Sequence, residues 1–183
     1  IIAWALACIV VVGCTGGGPI PLMAGCTPAG TCRCAPGNRC RCPRDGDCIL
    51  NCAAEGCVLE CWGVSTCNVE GSGAVAMYCD DTSDCQGRGG DRSAIGCVRA
   101  SSCDFQAGDD STALCNGYAV CKIQLGLRGT ADCLDMSSCD IRCDGACAVT
   151  CSVGATCSVS CGVADAGLTG ERCPDGRIVC GGC

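Results

Sequence analysis

Cysteine carries most of the chemistry this chain could do: 28 of its 183 residues are cysteine. They follow a rule. Cys61 and Cys67, Cys79 and Cys85, Cys97 and Cys103, Cys115 and Cys121, Cys133 and Cys139, and Cys151 and Cys157 form six C-x5-C pairs. Two thiols at that spacing can close a small disulfide loop, hold a soft metal ion as thiolates, or serve as nucleophiles beside a base. The last option lacks a partner. Histidine is absent, and the remaining candidates are carboxylates and one lysine, Lys122. The chain has no GxSxG elbow and no Gly-rich phosphate loop leading into a helix, so neither an enzyme nor a cofactor is expected. Asp80-Asp81 and Asp109-Asp110 lie in turn-forming stretches. They lack the repeated GGxGxD spacing of calcium-binding β-rolls and read as solvated turn residues.

Composition narrows the sulfur chemistry. One Phe, two Tyr and two Trp leave little material for a bulky apolar core, so cross-links or bound metal must hold the fold. Nineteen acidic residues against twelve basic ones give a net charge of −7, which repels nucleic acid. Near the N-terminus, "CTPAGTCRCAPGNRCRCPRDGDC" sets Cys26 and Cys32, Cys34 and Cys40, and Cys42 and Cys48 each six apart. Its CRC units suit a thiolate cluster, while its Gly and Pro suit disulfide-closed turns. The disulfide reading is favoured.

The elements that position these sulfurs follow from the period. From Cys61 to Cys151 the first cysteines of the six pairs recur at one constant interval, and so do the second ones from Cys67 to Cys157. A fixed short period predicts a solenoid, and a repeat of roughly 18 residues fits two strands and two turns. Around the second cysteine, Ser65, Cys67, Val69 and Gly71 alternate with Thr66, Asn68 and Glu70, a half-buried strand. A second strand precedes the first cysteine, with Val75, Met77 and Cys79 inward in one coil and Cys147, Val149 and Cys151 in another. Cys143, Cys147, Cys161 and Cys52 fall at inward positions, and their pairing stays open. The left-handed hexapeptide solenoid has coils of the same length. However, its small inward residue is missing from hexads such as "GAVAMY" and "DDSTAL". The expected fold is therefore an all-β, two-sheet parallel β-solenoid, right-handed, of about seven coils. Its divisions are an apolar signal-like segment at 1–13, a Gly/Pro- and Cys-rich tether at 14–47, the repeats at 48–163, and a terminal cap or tail at 164–183.

Three resemblances extend this reading. "VVGC", ending the apolar run at Cys14, resembles the lipobox of bacterial lipoproteins. That implies a lipid on Cys14, an exported chain and a membrane partner through the anchor. The body, with units such as "CSVGATCSVSC", is similar to cysteine-rich repeat proteins predicted on bacterial cell surfaces. It also resembles the antifreeze solenoids of beetles, which bind ice through a Thr-x-Thr ladder. Here the matching face reads Thr66-Asn68, Asp84-Gln86, Ser102-Asp104, Val120-Lys122, Ser138-Asp140 and Thr156-Ser158, so the ladder is missing.

The sequence thus predicts an exported, lipid-anchored, disulfide-stabilised solenoid with a structural or interaction role at the bacterial surface. The outer membrane or cell surface is the expected location, with secretion or the periplasm otherwise. Its exposed face would take a protein or glycan partner. The alternatives are a thiol-rich metal-binding protein and an ice- or glycan-binding surface.

Overall fold

A computed structural model describes residues 24–25, 29–162 and 168–183. Cys14, the apolar segment before it and Cys26 lie outside these residues. Each coil is two strands and two turns. Val75–Cys79 runs in one sheet, Asp84–Arg88 in the other, and Ala94–Cys97 returns to the first, one level along. Repetition builds a ten-stranded sheet and a nine-stranded sheet, parallel except at the C-terminal end. The protein is an all-β parallel solenoid of about seven coils.

Register is what the repeat period demands. Cys79 pairs with Cys97 and Cys85 with Cys103, and the same offset continues to Cys157. The first full coil is longer by one residue, because Cys52 pairs with Gly71 while Cys57 pairs with Val75. The extra residue sits in the Ala53–Gly56 turn, where a loop can absorb it without shifting either sheet. The sheets also take in Ala29–Cys34 and Arg39–Cys42, which the sequence assigns to the tether. Regular stacking therefore begins before Cys48. Pro36 and Gly37, and Pro43 and Gly46, occupy the turns on either side of Arg39–Cys42.

Two inward columns fill the narrow interior. In the nine-stranded sheet, Leu50, Val69, Gly87, Phe105, Ile123, Ile141 and Val159 stack in register. Opposite them run Leu59, Met77, Ile95, Ala113, Ala131 and Val149. The two columns compensate in volume: the alanines fall where Phe105, Ile123 and Ile141 are large, which keeps the sheets evenly spaced. Outward neighbours alternate with these positions, as in Ser102–Ala107, whose residues are exposed and buried in turn.

The turns repeat as faithfully as the strands. The second residue after the first cysteine has positive φ in five successive coils, at Gly63, Asp81, Arg99, Gly117 and Asp135. Arg92, Asp110 and Arg128 do the same on the opposite edge. Non-glycine residues enter this region at a cost, and the stacked neighbours hold them there.

At the C-terminal end the chain reverses. Ile178–Cys180 pairs antiparallel with the strand Cys147–Cys151, and Leu168–Thr169 does so with Thr156–Cys161. This closes the edge that another strand could otherwise extend. Among the described residues, no helix is long and apolar enough to cross a membrane.

Candidate functional site

The sulfurs form two columns along the two edges of the rod. On the edge where the chain passes from the ten- to the nine-stranded sheet, the structure joins Cys61 to Cys67, Cys79 to Cys85, Cys97 to Cys103, Cys115 to Cys121, Cys133 to Cys139, and Cys151 to Cys157. Cys42–Cys48 continues the column at its start. Each bridge stays within one coil, with Cα atoms 6.3–6.4 Å apart in the six repeated pairs. Both cysteines point inward from the two ends of a five-residue turn, which is a separation a disulfide accepts. Closing so short a loop contributes about 2–3 kcal/mol in the chain-entropy model.

The second column is interrupted. Cys34–Cys40, Cys52–Cys57 and Cys143–Cys147 close the return turns near the two ends. Cys40 stands in register with Leu59 of the inner column, whereas between Cys52–Cys57 and Cys143–Cys147 the bridge positions hold Gly71 and Val75, Gly89 and Ser93, Ala107 and Ser111, and Leu125 and Gly129. In that middle stretch hydrogen bonds replace sulfur: Ser93 Oγ accepts from the Val75 amide at 3.3 Å, and Ser111 Oγ from the Ser93 amide at 3.0 Å. Cys161–Cys180 and Cys173–Cys183 tie the reversed C-terminal segment to the last coil and to itself. The short return bridges escape a search for C-x5-C because their separations are five and four residues. The usable signal was positional, since both members fall inward at the two ends of one turn.

As disulfides these sulfurs are neither nucleophiles nor thiolate ligands. They are nevertheless crowded: Cys42, Cys61 and Cys67 lie within 4.8 Å of one another, as do Cys143, Cys147 and Cys180. In reduced form such triads are the places where a soft metal would find several thiolates.

The paired aspartates serve the turns. Arg99 reaches both Asp80 and Asp81, the latter at 3.0 Å, and its guanidinium is held further towards the charged form by Asp80. Arg128 binds Asp110 at 2.7 Å and holds that carboxyl below the usual carboxylate range. Asp91 Oδ1 accepts the Asp109 amide, and Asp109 Oδ1 accepts the Leu127 amide, both at 2.8 Å. Two carboxylates in succession thus tie three neighbouring coils together. At the start of the stack, buried Glu60 takes Arg41 at 2.8 Å and Arg39 at 3.2 Å, and Arg41 lies 4.6 Å over the Trp62 ring.

The outward face of the nine-stranded sheet is the remaining candidate. A shallow open hollow of about 850 Å³ lies along it, bordered by Asn51, Asn68, Glu70, Gln86, Arg88 and Gln106. A second, of about 340 Å³, shares Asp104 and Gln106 with the first and continues past Lys122 and Arg142. Amides, carboxylates and cationic groups are interspersed, so the face offers donors and acceptors without a single-sign field. Lys122 is paired with Asp104 at 3.2 Å and Gln124 with Asp144 at 2.8 Å. No family model matches the chain, and neither a curated protein nor a solved structure matches it.

Proposed function

We propose that the protein is a rigid surface rod that presents a binding face without catalysing a reaction. The carrying observation is the stack itself, in which successive coils are each closed by a disulfide, buried in all but the last of the six repeated pairs. Disulfides at this density indicate an oxidising, extracellular or secreted setting. In that setting the cross-links do what a bulky core does elsewhere: they remove freedom from the unfolded chain. The polar outward hollow from Asn51 to Arg142 supports a protein or glycan partner there. Sequestered sulfur and the absence of histidine support a role other than catalysis. The apolar run ending in Gly13-Cys14 supports export and acylation at Cys14, which would hold the rod at a bacterial surface.

The test is the mature protein isolated from cells. A chain beginning at Cys14, heavier by an acyl modification and partitioning into detergent, is expected; Cys14→Ser releases it or blocks processing. Recovery of surface protein that retains residues 1–13 contradicts the lipid anchor. For the face, Gln86→Ala with Gln106→Ala should alter unfolding stability by less than about 0.5 kcal/mol, since exposed substitutions seldom matter to folding. A hydrolase or transferase turnover that follows the purified protein and disappears with one substitution contradicts the non-catalytic role.

A further inference from the structure

The bridges of the C-x5-C column are separate covalently, yet near the C-terminal end the sulfurs of one bridge come within 4.8 Å of the next. The sulfurs of Cys115, Cys121 and Cys139 lie within 4.8 Å of one another, and so do those of Cys133, Cys139 and Cys157. Cys139 belongs to both groups, so three successive bridges are linked by short sulfur–sulfur approaches. The protection of these bridges differs. Cys115, Cys121, Cys133 and Cys139 are buried, whereas Cys151 and Cys157 are partly exposed. Of these three bridges, Cys151–Cys157 is therefore the one a reductant in solution meets first.

We propose that these three bridges form a thiol–disulfide relay, which carries reduction from the partly exposed Cys151–Cys157 bridge to the buried Cys133–Cys139 and Cys115–Cys121 bridges. The external reductant is a low-molecular-weight dithiol. It is oxidised to its cyclic disulfide and leaves Cys151 and Cys157 as thiols. The Cys157 thiolate attacks Cys139 Sγ; the Cys139–Cys157 bond forms, the Cys133–Cys139 bond breaks, and Cys133 departs as the thiolate. Cys151 then attacks Cys157 Sγ, which restores Cys151–Cys157 and expels Cys139 as the thiolate. One disulfide has been exchanged for another, and two electrons have moved one coil inward. The same two steps, starting with Cys139 on Cys121, open Cys115–Cys121 and restore Cys133–Cys139.

The backbone is already placed for the crossed intermediates. Cys121 is the register partner of Cys139, and Cys139 of Cys157. Paired residues on neighbouring strands sit about 4.8 Å apart, inside the Cα range of about 4.4–6.8 Å that a disulfide tolerates. Parallel side-chain directions disfavour the crossed bond as a resting state, consistent with the within-coil bridges observed. Reactants and products are both dithiol-plus-disulfide pairs in similar surroundings, so exchange runs in both directions. Electrons delivered at the exposed end are therefore shared among the three bridges, the buried ones included.

The experiment uses the full oxidised chain, briefly exposed to less than one equivalent of dithiothreitol and then desalted. Samples are alkylated over time and mapped by mass after non-reducing digestion. Total thiol should stay constant while label moves from Cys151 and Cys157 to Cys133, Cys139, Cys115 and Cys121. Whatever label the Cys173–Cys183 bridge, exposed at Cys183, also takes, label that never reaches Cys133, Cys139, Cys115 or Cys121 overturns the relay. A second arm uses Cys151→Ser, which frees Cys157 without any reductant. Alkylation of Cys133 should then rise about tenfold over its wild-type level, with a Cys139–Cys157 link in the same sample, as exchange approaches equilibrium. Label on Cys157 alone in this variant also overturns it.

Discussion

Gly87 shows how little room a coil leaves. It lies between Val69 and Phe105 in the inner column, and a Cβ placed there would sit 2.0 Å from the Val69 carbonyl oxygen. A backbone atom cannot swing aside as a flexible side chain can. Gly87→Ala is expected to destabilise the oxidised protein by about 1–3 kcal/mol in denaturant unfolding, within the usual range for a steric clash in a packed layer. An unchanged midpoint would mean that the coil opens freely at this level. Charge makes a different prediction. Arg128 lowers the Asp110 carboxyl pKa in the folded protein. A lowered folded value gives stability that is present above the unfolded pKa and lost as pH falls through the folded one. The pair should therefore leave the unfolding midpoint flat near neutrality and contribute to a decline only below about pH 4; Asp110→Asn should reduce that acid dependence. A midpoint whose acid decline is the same in Asp110→Asn counts against the pair. None of this ion pairing was evident in the sequence, because partners one coil apart, such as Asp110 and Arg128, become neighbours only once the stack is known.

At the scale of the element, the coil is the unit that folds and the C-x5-C turn is its fastener. Replacing Cys97 and Cys103 together with serine should lower unfolding free energy by about 2–3 kcal/mol, the value expected for so short a loop. Denaturant titration of the oxidised double variant measures it. A loss near zero would assign the stability to strand pairing alone. The constant repeat and the alternation within strands made these coils legible, because both are imposed by parallel stacking and inward packing. What period alone did not reveal lies at the ends. Ala29–Cys34 and Arg39–Cys42 are as long as strands of the repeat, but the Gly and Pro around them mask their alternation. The return bridges Cys52–Cys57 and Cys143–Cys147 break the C-x5-C rule, and Cys161–Cys180 depends on a chain reversal that no repeat encodes.

For the whole molecule, the division of labour is between an interior that repeats its cysteines and its apolar or small character and an exterior that varies. Inward positions are constrained by neighbours above, below and opposite, so they repeat. Outward positions on the nine-stranded sheet change from Asn68 to Gln86, Asp104, Lys122 and Asp140 in successive coils. That contrast explains why architecture could be read from the sequence while a partner could not. The interior answers to a geometry shared by every coil, and the exterior is free of that constraint. The rod's central feature is a ladder of within-coil disulfides, and peptide mass mapping after digestion without reduction tests it most directly. Protein purified without added thiols should yield Cys42–Cys48, Cys61–Cys67 and the five further C-x5-C links through Cys151–Cys157. Dominant links between equivalent cysteines of neighbouring coils, such as Cys79 with Cys97, or free thiols accompanied by stoichiometric zinc or copper, would contradict it.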